Sequence, residues 1–206
     1  MLNNPKKHHR RSIRLKCYDY SQAGAYFITI CCQEKVCLFG NIAEDQMILN
    51  DAGQMIGTQW LALTERFTNV DLHEFIVMPN HFHGILQIVG TPVGAPLVGA
   101  LRPVGDHTSD ESRIGQPQGI APTGFRNGTV ATNKNVGDML DAFKSITTVE
   151  YIRGIKNLGW QPFFSKLWQR NYYEHIIRNE QSYQTIANYI VNNPATWSDD
   201  TFHNAI

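Results

Sequence analysis

The stretch Ala25-Tyr-Phe-Ile-Thr-Ile-Cys-Cys32 constrains this chain more than any other, because it is a near-continuous run of apolar, aromatic and β-branched side chains. A run of that kind suits a strand covered on both faces or lying centrally in a sheet, so the rest of the chain has to supply neighbours for it. From Asn50 to about Phe67, Met55, Ile56, Trp60, Leu61 and Leu63 recur at helical spacing, with Asn50 or Asp51 placed to cap the start. Leu72 to Met78 reads as a second strand, and Pro79-Asn80 turns the chain into a third, His81 to Val89. Met139, Leu140, Phe143, Ile146, Thr147 and Ile152 mark a helix from Asn135 to about Gly154, and a fourth strand is expected around Tyr173 to Ile177. A last helix opens at Asn179-Glu-Gln-Ser, runs through Tyr183, Ile186, Tyr189 and Ile190, and is stopped by Pro194. The sum is an α+β protein with the ferredoxin-like βαββαβ order, an antiparallel sheet whose first and third strands are central, and an additional C-terminal helix.

With 206 residues, 42% of them hydrophobic, the chain can bury one good core. The expected division is a basic N-terminal arm over 1–24 and one domain over 25–206. Residues from about 90 to 134 are rich in Gly, Pro, Thr and Asn and lack any sustained period, so they are read as an insertion. Lys6, Lys7, Arg10, Arg11, Arg14 and Lys16 crowd the arm, yet the formal net charge is zero. That balance argues against a protein coating duplex DNA over its whole surface, and leaves a local basic patch. The four cysteines form no Cys-x-x-Cys pair and are read as reduced packing residues. No apolar run approaches the roughly 20 residues of a membrane helix, so a cytosolic protein without a membrane partner is expected.

Two histidines flank Phe82 at the start of the third strand. Alternation puts His81 and His83 on one face and Phe82, Leu86 and Ile88 on the other. Two neighbouring imidazoles can grip one divalent cation; they can equally cap a strand end. Any of the eight tyrosines can pack with its hydroxyl at the surface. Tyr189 lies on the expected last helix with a polar residue, Asn193, four positions on and hence on the same helix face.

His81-Phe82-His83, the segment Leu167-Trp-Gln-Arg-Asn-Tyr-Tyr-Glu-His-Ile-Ile-Arg-Asn179, and Asn188-Tyr189-Ile-Val-Asn-Asn-Pro194 together resemble the REP-associated tyrosine transposases, relatives of the single-tyrosine HUH transposases. The resemblance runs from about Tyr26 to Trp197 without the insertion, which departs from compact members of that group. It implies that His81, His83 and Asn193 contact a divalent cation and that Tyr189 is the nucleophile. Nitrogen ligands make Mn²⁺ at least as suitable as Mg²⁺. The implied reaction is transesterification of single-stranded DNA near a hairpin, through a 5′-phosphotyrosine. Arg10, Arg11, Arg14, Lys16, Lys144, Arg153, Arg170 and Arg178 are the candidate DNA-binding cations, with Trp168, Tyr172 and Tyr173 available to stack on unpaired bases. Competing readings are a domesticated hairpin-DNA-binding protein without transposition activity and a metal-dependent hydrolase using water. Whether the tyrosine helix serves its own subunit or is exchanged in a homodimer stays open.

Overall fold

The computed structural model describes residues 19–90 and 134–203. The basic arm through residue 18, with Arg10, Arg11, Arg14 and Lys16, and the insertion over 91–133 lie outside the described residues.

Four strands form one antiparallel sheet: β1 (Gly24–Cys31), β4 (Val70–Val77), β5 (His81–Ile88) and β6 (Tyr173–Ile177), in the spatial order β4-β5-β1-β6. Among these four, the first and third in sequence are central, as expected for the ferredoxin-like order. The apolar run of β1 is explained by layers on both faces. Tyr26, Ile28 and Ile30 point into the larger core with Phe82, Leu86 and Ile88, against the helices α1 (Asp51–Leu61) and α3 (Val136–Leu158). Phe27, Ile85 and Ile177 point the other way and pack on Ala187 and Ile190 of α4 (Glu180–Asn192). A four-residue helix, α2 (Leu63–Arg66), follows α1, and a 3₁₀ turn over Pro194–Asp199 follows α4.

Each long helix starts as its sequence dictates. The side chains of Asn50, Asn135 and Asn179 accept from backbone amides three residues on, and Asn135 with Asp138 forms a reciprocal capping box. The Phe82 ring lies 4.6 Å from Trp60 and 5.4 Å from Phe143, so the residue between the two histidines is the centre of the opposite layer. Truncating a buried phenylalanine costs about 3–5 kcal/mol in such a setting. That packing fixes which way His81 and His83 face.

Two features differ from expectation. A hairpin of β2 (Gly40–Ala43) and β3 (Gln46–Leu49) precedes α1, turning through Glu44 and Asp45 at φ 50° and 58°. Two left-handed residues make the tight turn that fits strand twist, but neither is the glycine or asparagine that would have marked it. The second long helix also runs past Gly154 to Leu158. Gly154 has no side chain to clash with Trp160, whose ring lies against it, and the helix stops instead at Gly159 with φ 69°.

Candidate metal and nucleophile site

β5 carries His81 and His83 onto the face covered by α4, and both are almost fully buried, at 0% and 1% exposure. Their partners across the ladder are Cys31 and Thr29 of β1. The Thr29 hydroxyl lies 2.8 Å from His83 Nδ1, and Phe27 stacks on the same ring at 5.3 Å. His83 is therefore held on two sides, with Nε2 directed outward. There it meets the Tyr189 hydroxyl at 3.3 Å. Tyr189 is 42% exposed, so this residue reaches solvent while the two histidines beside it do not.

His81 Nδ1 is 2.9 Å from the Asn80 side-chain oxygen, which can only accept, so the ring proton is on Nδ1 and Nε2 carries a lone pair. That Nε2 has no hydrogen-bond partner and faces the Asp200 carboxylate at 3.9 Å. Two acceptors thus confront each other in a buried place. Neither a neutral imidazole nor a carboxylate gains from this unless a cation or a proton lies between them. The ligand atoms of His81, His83 and Asp200 all lie within 4.8 Å of one another, a spacing that one small cation can span. Asn193, fully buried at the C-cap of α4, adds an amide whose oxygen and nitrogen make no well-formed hydrogen bond. It is nevertheless close enough to bias both His81 and Tyr189. Orphaned buried acceptors cost about 1–3 kcal/mol each, and a bound ion relieves that cost. Two imidazoles, a carboxylate and an amide form a mixed nitrogen–oxygen set suited to Mn²⁺ or another first-row divalent ion.

Electrostatics leave the candidate ligands in a form a cation could use. Burial, with lesser contributions from His83 and Lys35, holds His81 at a pKa of about 2, and burial holds His83 at about 3. Both imidazoles are neutral at physiological pH, the form that binds metal. Burial and then the Asp200 charge raise the Tyr189 pKa, with Asn193 opposing them. Without a positive charge nearby the phenol keeps its proton.

The structure brings His81, His83, Tyr189 and Asn193 together and adds Asp200, Asn80 and Thr29, which the sequence had not singled out. Asp200 stands beyond the 3₁₀ turn, and nothing in its neighbours distinguishes it from Asp199. Tyr183 stands apart from this cluster: its hydroxyl donates to Glu74 at 2.6 Å, and burial followed by Glu74 pushes its pKa up to about 12. Lys144 and Arg153 lie on α3, in the layer opposite the histidines. Lys144 is spent on the carbonyls of Gln169 and Arg170, and Arg153 pairs with Glu150 at 2.6 Å. Trp168 is a core residue, 3% exposed, whose indole N–H donates to Thr147 at 2.8 Å, so it has no free face for a base. Tyr173 is 46% exposed and Arg170 and Arg178 are exposed. Cys31, Cys32 and Cys37 are free thiols, and no helix among the described residues is long and apolar enough to cross a membrane.

The fold and site define an α+β protein with a paired-histidine centre on the middle of its sheet and a helical tyrosine beside it. The chain belongs to the same family as an uncharacterised protein of Haemophilus influenzae, with which it shares 38% identity over 199 residues, covering 95% of this chain and 94% of the other. No family model matches. Among solved structures it is similar to a REP-associated tyrosine transposase bound to a REP hairpin, at 16% identity and a TM-score of 0.48, covering 89% of this chain and 74% of that one. A candidate transposase from Deinococcus radiodurans is similar at 13% identity and a TM-score of 0.41, covering 87% of this chain and 95% of that one.

Proposed function

We propose that the protein is a divalent-cation-dependent endonuclease and strand transferase acting on single-stranded DNA beside a hairpin, with Tyr189 as nucleophile. The observation that carries this reading is the 3.3 Å approach of the Tyr189 hydroxyl to His83 Nε2, beside a cluster that also holds His81 and Asp200. His81, His83, Asp200 and Asn193 would hold the ion. When bound, the cation supplies positive charge that favours loss of the phenolic proton and relieves charge on a non-bridging phosphate oxygen. Tyr189 forms a bond to phosphorus, the bond from phosphorus to the 3′ oxygen breaks, and that oxygen leaves as a 3′-hydroxyl. The proton lost by the phenol balances the one gained by the leaving oxygen. One phosphodiester replaces another, so the bond energy is kept for strand rejoining.

The strand would lie along the α4 side of the sheet. Tyr173, Thr29 and His83 are consecutive partners across β6, β1 and β5, which places Tyr173 roughly 10 Å from His83 on the same face. A shallow groove of about 530 Å³, lined by Phe27, Tyr173, His175, Ser182 and Ile186, runs beside it. Phe27, one wall of this groove, also meets Tyr189 edge-on, at 6.1 Å between ring centroids. An unpaired base next to the cleaved bond would stack there, with Arg170 and Arg178 available to the backbone.

A labelled hairpin-bearing oligonucleotide with Mn²⁺ tests the reading. A covalent protein–DNA adduct that is lost in Tyr189→Phe supports it. Binding without an adduct points to a hairpin-binding protein, and hydrolysis that survives Tyr189→Phe points to a metal hydrolase using water.

A further inference from the structure

Asn80 is fully buried in the turn between β4 and β5, and every polar atom of its side chain is engaged. Its Nδ2 donates to the carbonyl of Lys35 and to the carbonyl of Phe202, both at 2.9 Å. Two carbonyls can receive only from the nitrogen, so the amide cannot be turned around, and its oxygen must be the atom that faces His81 Nδ1 at 2.9 Å. One side chain therefore joins three segments distant in sequence: the turn after β1, the histidine strand and the C-terminal segment.

Both consequences bear on the candidate centre. An acceptor at Nδ1 selects the tautomer that leaves Nε2 unprotonated and pointing at Asp200. The donation to Phe202 anchors the segment that carries Asp200 two residues earlier, and the backbone amide of Phe202 in turn donates to the Asp200 carboxylate at 2.7 Å. Phe202 lies with its ring 4.6 Å from that of His81, which closes the assembly from above. We infer that Asn80 is the positioning residue of the metal centre: it sets the tautomer of His81 and, through Phe202, the place of Asp200. The inference rests on the reading of His81 and Asp200 as metal ligands and needs no assumption about DNA.

Nitrogen-15 NMR of the metal-free protein, with the His81 signals identified by their loss in His81→Gln, reads the tautomer directly. The expected result is Nδ1–H in the wild type, its loss in Asn80→Leu, and its retention in Asn80→Asp, which keeps the acceptor but not the two donated bonds. Mn²⁺ affinity, followed by electron paramagnetic resonance, is expected to fall about 10–100-fold in Asn80→Leu, as for other partners that orient a metal-binding histidine. Should the leucine variant not fold, Asn80→Ala, smaller and likewise without an acceptor, makes the same comparison. An Nε2–H tautomer in the wild type, an Nδ1–H tautomer that persists in the leucine or alanine variant, or an undiminished Mn²⁺ affinity would overturn the inference. A wild type that binds no Mn²⁺ at all would instead overturn the metal reading, with the tautomer still decided by NMR.

Discussion

The phenolic oxygen of Tyr189 lies 3.3 Å from Nε2 of His83, although 106 positions separate the two residues in the chain. The contact exists because α4 packs on the face of the sheet onto which β5 turns its histidines. Had α4 joined α1 and α3 on the Phe82 side, the two groups would be divided by the whole sheet.

Tyr189→Phe removes the half-buried hydroxyl that meets His83 and leaves the ring packed against Phe27. Stability should change by no more than about 1.5 kcal/mol, the net worth of one hydrogen bond. Adduct formation, read on denaturing gels, should fall by on the order of 10⁴-fold or more, since a missing nucleophile has no substitute in the same step. Mn²⁺ binding should persist.

The two buried histidines make stability depend on pH with a definite sign. Their folded pKa values, about 2 and about 3, lie below the unfolded value near 6.5, so the unfolded chain binds more protons at intermediate pH. The stabilisation is complete above about pH 6.5 and is lost progressively as pH falls through 6 and 5, by up to about 1.4 kcal/mol per pH unit for each histidine. Urea denaturation at pH 7, 6 and 5 should show the decline, and His81→Gln should make it shallower. Because the folded imidazoles are already neutral, Mn²⁺ affinity should stay nearly flat over the same range.

Asp200→Asn keeps the shape of the side chain and removes its charge. Mn²⁺ affinity should fall at least about 10-fold through loss of an anionic ligand. In the metal-free protein the Tyr189 pKa should move down, because the Asp200 charge is one of the two causes that raise it. Asn193→Ala should move it up. Ultraviolet titration of the phenol, compared with Tyr189→Phe as a blank, separates the two directions.

Tyr173→Ala removes an exposed ring from the strand beside the groove. Single-stranded oligonucleotide affinity should fall about 5–150-fold, the range of one stacked base, as measured by fluorescence anisotropy. Mn²⁺ affinity should not change, and saturating DNA should restore adduct formation.

Much of the architecture was legible because local pattern and global packing agree. The run of β1 demanded cover on both faces, the alternation around Phe82 named the histidine face, and Asn50, Asn135 and Asn179 marked where helices begin. The β2–β3 hairpin was hidden because Glu44 and Asp45 adopt left-handed backbone without the residues that usually reveal it. Candidate ligands on regular elements, His81 and His83, could be paired from their spacing alone. Asp200 and Asn80 could not, since their neighbours are set by how the C-terminal segment folds back on the turn before β5. Trp168 reads as a stacking platform in the sequence and is a core residue in the fold for a related reason: an aromatic in a loop looks the same whether its indole reaches Thr147 or solvent.

The tripeptide His81-Phe82-His83 has a further consequence for how this chain tolerates change. Sliding β5 by a single position against β1 would drive both imidazoles into the oily layer beside Trp60 and thrust the phenyl ring out among the polar groups. Misregistered molecules would thus lose their packing together with the histidine pair, so the apolar ring that holds the core also keeps the two imidazoles side by side.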